Sequence, residues 1–228
     1  PKILTLSMEE LAECGAQGII TNSYIIYKNT GLKKIAMAEG IHAMLGWEGP
    51  IMTDSGTFQS HVYGEIDMEP DVILDFQKKM GVDIGTVLDV FTEPGTRFRE
   101  ASKELEETQK IIEEADKNKG DMLLAAPIQG GRHLDLRHKA ATSASETNAD
   151  LFPIGGVVPL MEQNKFQRLA EVVFSSKKGL DISRPVHLDL FKRGDIVEEL
   201  RPNLYPAYHG KVISFLQNIN KKTVAKTQ

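Results

Sequence analysis

The chain has 228 residues, 41% of them hydrophobic, and a formal net charge of −5, so it can bury one substantial core or a core plus a small appendage. No apolar run is long enough to span a bilayer, no leader pattern opens the sequence, and a single cysteine, Cys14, excludes an internal disulfide framework and any multi-cysteine zinc cluster within these residues. Cytosol is the default compartment, and the acidic balance argues against sequence-blind nucleic-acid binding by the whole surface.

The sequence begins with proline in mid-pattern, and its N-terminus is read as incomplete. Ser7-Met8-Glu9-Glu10 has capping-box form and starts a short helix that stops at Gly15. Residues 18 to 27, rich in β-branched and aromatic side chains, read as a strand interrupted by Thr21-Asn22-Ser23, which either face a site or make a local turn. Residues 32 to 45 have helical spacing, weakened by Gly40, and the strand from Ile51 follows. Pro70 suits a first helical position and leads Val72, Ile73, Phe76 and Met80 on one face, with Gly81 ending that helix. Residues 98 to 117 form the longest helix, with Ala101, Leu105, Thr108, Ile112 and Ala115 inward and a charged, solvated outer face. A strand at 122 to 129, a helix at 137 to 147, a glycine-bearing strand at Ile154, a helix at 165 to 177 and a strand start at 185 to 188 complete the alternation.

Four of the strands end in the same way. Ile51 to Gln59 delivers Asp54, Ser55, Gly56 and Phe58; the strand from Val82 delivers Asp89; the one from Leu123 delivers Gln129 and two glycines; and the one from Phe152 delivers Gly155 and Gly156. Alone, Asp54-Ser55-Gly56 is a turn whose Asp caps the backbone. Recurrence favours a (β/α)8 TIM-like barrel, an α/β fold whose active residues sit at strand C-terminal ends.

At Leu188 the pattern breaks, because 185–188 and Asp189-Leu190-Phe191 each resemble a strand with no crossover between them. Six or seven strands can be found where a barrel needs eight, so the barrel is incomplete as given, with a segment missing near 188–189. Residues 1–191 are assigned to the barrel and 192–228 to a basic C-terminal segment that starts an appendage. There, seven Lys or Arg (192, 193, 201, 211, 221, 222, 226) face three acids (195, 198, 199), and phosphate contacts are expected.

The ordered set Thr-Asp-Ser-Gly-Thr-Phe-Gln (53–59), Gly-Val-Asp-Ile-Gly-Thr-Val-Leu-Asp (81–89), Pro-Ile-Gln-Gly-Gly (127–131), Asp-Leu-Arg (135–137), Pro-Ile-Gly-Gly-Val-Val-Pro-Leu-Met-Glu (153–162) and Arg-Pro-Val-His-Leu (184–188) resembles tRNA-guanine transglycosylases. Residues 21 to 27 and the Gly-Gly-Val-Val-Pro form look like the archaeal branch, which exchanges a tRNA D-loop guanine for 7-cyano-7-deazaguanine on the way to archaeosine. By that resemblance Asp54 is the acid/base, Ser55 and Phe58 belong to the base pocket, Asp89 reads the guanine edge, Gln129 meets the same base, and the backbone of Gly155 and Gly156 closes on it. The resemblance also implies tRNA and a 7-deazaguanine or guanine base as partners, a homodimer, and a zinc ion.

The chemistry fits those residue types. A guanine edge offers N1–H and an exocyclic amine side by side, which one carboxylate can accept, while an amide or backbone N–H satisfies O6. Exchange with retained configuration is a double displacement and needs a second carboxylate as nucleophile. The family carries it as Asp-Leu-Phe-Asp; here Asp189-Leu190-Phe191 is followed by Lys192, and the Cys-x-Cys-x-x-Cys zinc motif is absent. Three readings stay open: the missing segment holds the nucleophile and zinc ligands; the chain is an inactive relative that binds guanine or tRNA; or it is an unrelated barrel that cradles phosphate on Gly130-Gly131 and Gly155-Gly156.

Other polar residues have simpler readings. The six histidines lack metal-binding spacing, although His187 stands at a strand end. Asp83 holds backbone at a strand start, Asp135 and Arg137 form an ion pair at a helix start, Trp47 is core, and Arg132 is a phosphate contact.

Overall fold

The computed structural model of the chain describes residues 6–57, 68–181 and 183–188. Within them, helices and strands alternate: α1 (Met8–Glu13), β1 (Ile19–Asn22), α2 (Ser23–Lys28), α3 (Thr30–Leu45), β2 (Ile51–Asp54), α4 (Pro70–Lys79), β3 (Ile84–Thr86), α5 (Phe98–Asn118), β4 (Leu123–Ala125), α6 (Leu134–Ser145), β5 (Phe152–Pro153), α7 (Val158–Glu162), α8 (Phe166–Lys178) and β6 (Val186–His187).

The strands β1-β2-β3-β4 pair in sequence order and in parallel. Isolated parallel bridges, Ala125↔Leu151 and Ile128↔Ile154, carry the curve on to β5, which pairs with β6. Each parallel pair requires a crossover, and helices packed on the outer face supply it. The period of two then sorts the side chains. In β2, Ile51 joins the large outer core with Ile41, Ile73, Leu105, Leu124 and Phe152, whereas Met52 joins Ile84, Ala125 and Leu151 in a small inner cluster. Asp54 follows Met52 on that inner side.

These residues form an arc of six parallel strands. β1 and β6 line the same cavity without pairing to each other, so the described residues carry six strands of the barrel read from the sequence as incomplete and do not close it. The break inferred at 188–189 and the basic segment 192–228 lie outside them.

Several local expectations hold. Ser7 and Glu10 make a reciprocal capping box, Pro70 opens α4, and the five inward residues of α5 are all buried. Asp83 does hold backbone: its Oδ2 accepts from Ile51 N at 2.8 Å and lies 3.1 Å from His42 Nε2.

Other expectations are corrected. Residues 23 to 28 are helix, not strand, because Asn22 Oδ1 accepts from Ile25 N as an N-cap and Ser23 and Ile26 are buried; capping and burial override β-propensity. In α4, Val72 is 39% exposed and Gln77, fully buried, takes the inner position. Helix α6 begins at Leu134, three residues before the position anticipated, and α7 was not foreseen. Arg137 makes no helix-start ion pair with exposed Asp135; it is completely buried.

Candidate active site

Residues in or beside all six strands surround a cavity of about 640 Å³, Gly18 and Ile20 at β1 and, from the ends of the later strands and the segments after them, Asp54, Ser55, Thr57, Thr86, Asp89, Phe91, Gln129, Gly155, Gly156 and His187 among others. That volume falls within the range of small-molecule sites. Every strand contributes, which is how short strands with different endings can build one polar cluster.

Asp54 is the last residue of β2, level with Asn22 of β1. Asn22 Nδ2 donates to Asp54 Oδ2 at 3.1 Å, and Ser23 Oγ donates to the Asp54 backbone carbonyl at 2.7 Å. Asn22 therefore faces the site and makes the local turn at once, since its Oδ1 caps α2. The chain turns sharply after Ser55: Gly56 has φ +91°, and a Cβ there would stand 2.2 Å from Tyr24 Cβ. Only glycine fits that approach. Ser55 and Thr57 hydroxyls are 3.1 Å apart, and Thr57 Oγ1 donates to the Asp89 backbone carbonyl at 3.3 Å.

Asp89 and Gln129 are both buried, at 8% and 2% exposure, and Gln129 Nε2 donates to Asp89 Oδ2 at 2.5 Å. Burial pushes the Asp89 carboxyl above its ordinary range, opposed by hydrogen bonds from Thr57 and Gln129 and by the positive charge of Arg137. Gln129 Oε1 is buried with no hydrogen-bond partner among the described residues. A Cβ on Gly155 would sit 2.5 Å from Gln129 Nε2, so the glycine loop and the amide are in direct register.

Arg137 underpins this loop. Its Nη1 donates to the carbonyls of Ile128 (2.6 Å) and Gly155 (2.8 Å), and its Nε donates to that of Gly131 (2.9 Å). Burial pulls its guanidinium down to about 9, partly offset by Asp89, so it stays charged at neutral pH. One buried cation thus ties the end of the β4 segment to the loop after β5.

Of the residues singled out from the sequence, Asp54, Ser55, Asp89, Gln129, Gly155 and Gly156 come together on this cavity. Phe58 lies outside the described residues. His187 lines the cavity, whereas Trp47 is core, 6% exposed, and Arg132 is exposed. The sequence leaves Asn22 open between site and turn and assigns no site role to Thr57, Arg137 or Gln77. For the last two a signal exists: each is a polar residue in phase with an apolar helix stripe, Arg137 with Ala141 and Ala144, Gln77 with Ile73 and Met80. The zinc ion implied by the resemblance has no donor set here, since no group of three His, Cys, Asp or Glu gathers among the described residues and Cys14 is exposed. No helix among them is long and apolar enough to cross a membrane.

Comparison with known proteins agrees with the geometry. The family profile described as queuine tRNA-ribosyltransferase matches residues 1–198. The chain is 47% identical over 188 residues to the tRNA-guanine(15) transglycosylase of Thermoplasma acidophilum, covering 82% of this chain and 29% of that protein. It is 46% identical over 189 residues to that of Methanosarcina acetivorans, covering 82% and 39% respectively, and 45% identical over 192 residues to that of Methanococcus aeolicus, covering 82% and 29%. The chain thus spans well under half the length of these relatives. A match over residues 1–198, with the matched motifs converging on one cavity, places this chain in the queuine tRNA-ribosyltransferase family.

Proposed function

We propose that the chain carries the base-recognition site of a tRNA-guanine transglycosylase that exchanges guanine 15 of tRNA, in the D-loop, for 7-cyano-7-deazaguanine in archaeosine formation. The observation that carries this reading is the buried Asp89–Gln129 pair at the cavity, backed by Arg137 and the Gly155-Gly156 loop. The Asp89 carboxylate accepts the N1–H and the exocyclic amine of guanine. Gln129 has two N–H groups on one nitrogen; one is held by Asp89, leaving the other for O6. Adenine presents neither pattern, and a buried polar site rejects the base that leaves its groups unpaired.

Asp54 stands across the cavity as acid/base, its carboxylate oriented by Asn22. The partners proposed are tRNA, a free guanine or 7-deazaguanine, and a second copy of the chain. Double displacement needs a nucleophilic carboxylate besides Asp54, and the sequence carries Lys192 at the position where the family's motif has one. That lysine favours a second reading, base or tRNA binding without exchange.

One experiment separates them. Labelled guanine is incubated with the protein and a tRNA bearing guanine 15, and base binding is followed in parallel by calorimetry. Incorporation supports exchange. Binding without incorporation supports the second reading, and the absence of both contradicts the base-recognition site itself.

A further inference from the structure

Between α4 and the sheet lies one fully buried amide, Gln77. Its Oε1 accepts from Thr53 Oγ1 at 2.7 Å and from Thr86 N at 2.9 Å, and its Nε2 donates to Thr86 O at 3.1 Å. Both backbone polar groups of Thr86 are therefore bonded to a side chain. The ladder records the consequence: β1–β2 pairing runs up to Asn22↔Asp54 and β3–β4 pairing up to Thr86↔Ala125, but β2–β3 pairing ends one step lower, at Thr53↔Gly85.

The sheet is thus paired on both flanks and open in the middle, at the level where the site begins. On one side of the seam stand Asp54, Ser55 and Thr57; on the other stand Thr86 and Asp89, and all five line the cavity. Packing holds the arrangement in place, because a Cβ on Gly85 would meet Met122 Cε at 2.5 Å and Gln77 Oε1 at 3.3 Å. A buried amide in an apolar helix stripe costs free energy unless its bonds are made, and all three bonds here go to the two strands that carry the acid/base and the base-reading carboxylate.

We infer that Gln77 is a positioning residue: it holds β2 and β3 apart above Thr53↔Gly85 and so sets the spacing at which Asp54 and Asp89 face a purine. This rests on the base-recognition reading. Without the amide, Thr86 N–H and C=O are left to bond with β2, the seam closes by one rung, and Asp89 moves relative to the rest of the pocket.

The test uses Gln77→Met, close in volume but without the bonds, and Gln77→Glu, which keeps the acceptor for Thr53 and Thr86 and loses the donor. Guanine and hypoxanthine affinities are measured by calorimetry, with thermal unfolding as the control for folding. Gln77→Met is expected to bind guanine roughly tenfold or more weakly, the equivalent of about one good hydrogen bond, and to lose much of the preference for guanine over hypoxanthine. Gln77→Glu is expected to fall between Met and wild type, and it carries the test if Gln77→Met does not fold. A folded Gln77→Met with wild-type affinity and preference overturns the inference, since a purely structural role changes unfolding alone. Wild-type protein that binds no guanine overturns the base-recognition reading instead. The seam is then read by the crystal structure of the variant, where Thr86 N bonded to β2 is the expected result and an unchanged ladder refutes the splaying role.

Discussion

Replacing Arg137 by leucine tests the idea that one buried cation organises the pocket. The substitution removes hydrogen bonds to the carbonyls of Ile128, Gly131 and Gly155. Ile128 O keeps a bond from Gly155 N at 3.1 Å, so the main loss falls on the two glycine carbonyls. Hydrogen bonds to a charged group contribute about 1.5–3 kcal/mol each, which makes a gross loss of about 3–6 kcal/mol. Removing a guanidinium that burial already disfavours, enough to pull it to about 9, offsets part of that loss. The net expectation is a destabilisation of about 2–4 kcal/mol, read from urea unfolding followed by circular dichroism at neutral pH. The same change deletes the positive charge that favours ionised Asp89, so the pH at which guanine affinity falls off should move upward. Unfolding within about 0.5 kcal/mol of wild type, which is the size of an ordinary surface substitution, together with an unmoved pH profile, would show that Arg137 does not organise the pocket.

Asp89→Asn should separate stability from function. Burial raises the Asp89 carboxyl above its unfolded value of 3.8, so its contribution to stability is fully present below that value and lost as pH rises through the raised folded one. At neutral pH the variant is therefore expected to melt no lower than wild type while losing guanine binding; a clear drop in melting temperature contradicts the assignment. In wild type, guanine affinity should fall with decreasing pH at values above the usual carboxylate range, because the protonated carboxyl cannot accept both guanine donors; a flat titration down to about pH 4 counts against Asp89 as the reader. Gly155→Ala places a methyl 2.5 Å from Gln129 Nε2 and should weaken guanine binding with little change in global unfolding, as measured by calorimetry and melting. Gly56→Ala combines a φ of +91° with a 2.2 Å clash on Tyr24; a loss of about 2–4 kcal/mol in unfolding free energy is expected.

The site was largely legible because its residues stand where strands end. Asp54, Ser55, Asp89, Gln129, Gly155 and Gly156 each follow a short apolar run, and the parallel arrangement brings those ends to one cavity. Residues 23 to 28 were misread because Tyr24, Ile25, Ile26 and Tyr27 favour strand locally, whereas the Asn22 cap and the packing of Tyr27 edge-on to Phe76, at 5.2 Å between centroids, decide for helix. Arg137 and Gln77 were missed for a related reason. Charged and amide side chains are assigned outward by default, and only the three-dimensional supply of backbone partners makes their burial favourable. Closure of the strands into a barrel depends on residues distant in sequence, which periodicity does not report.

If the buried carboxylate and amide read a guanine edge, calorimetric titration of the protein with guanine, hypoxanthine and adenine must rank the three bases. Guanine should bind; hypoxanthine, which lacks the exocyclic amine, should bind about tenfold or more weakly; adenine should not bind measurably. Equal affinity for the three bases, or tighter binding of adenine, would rule out recognition of guanine by Asp89 and Gln129.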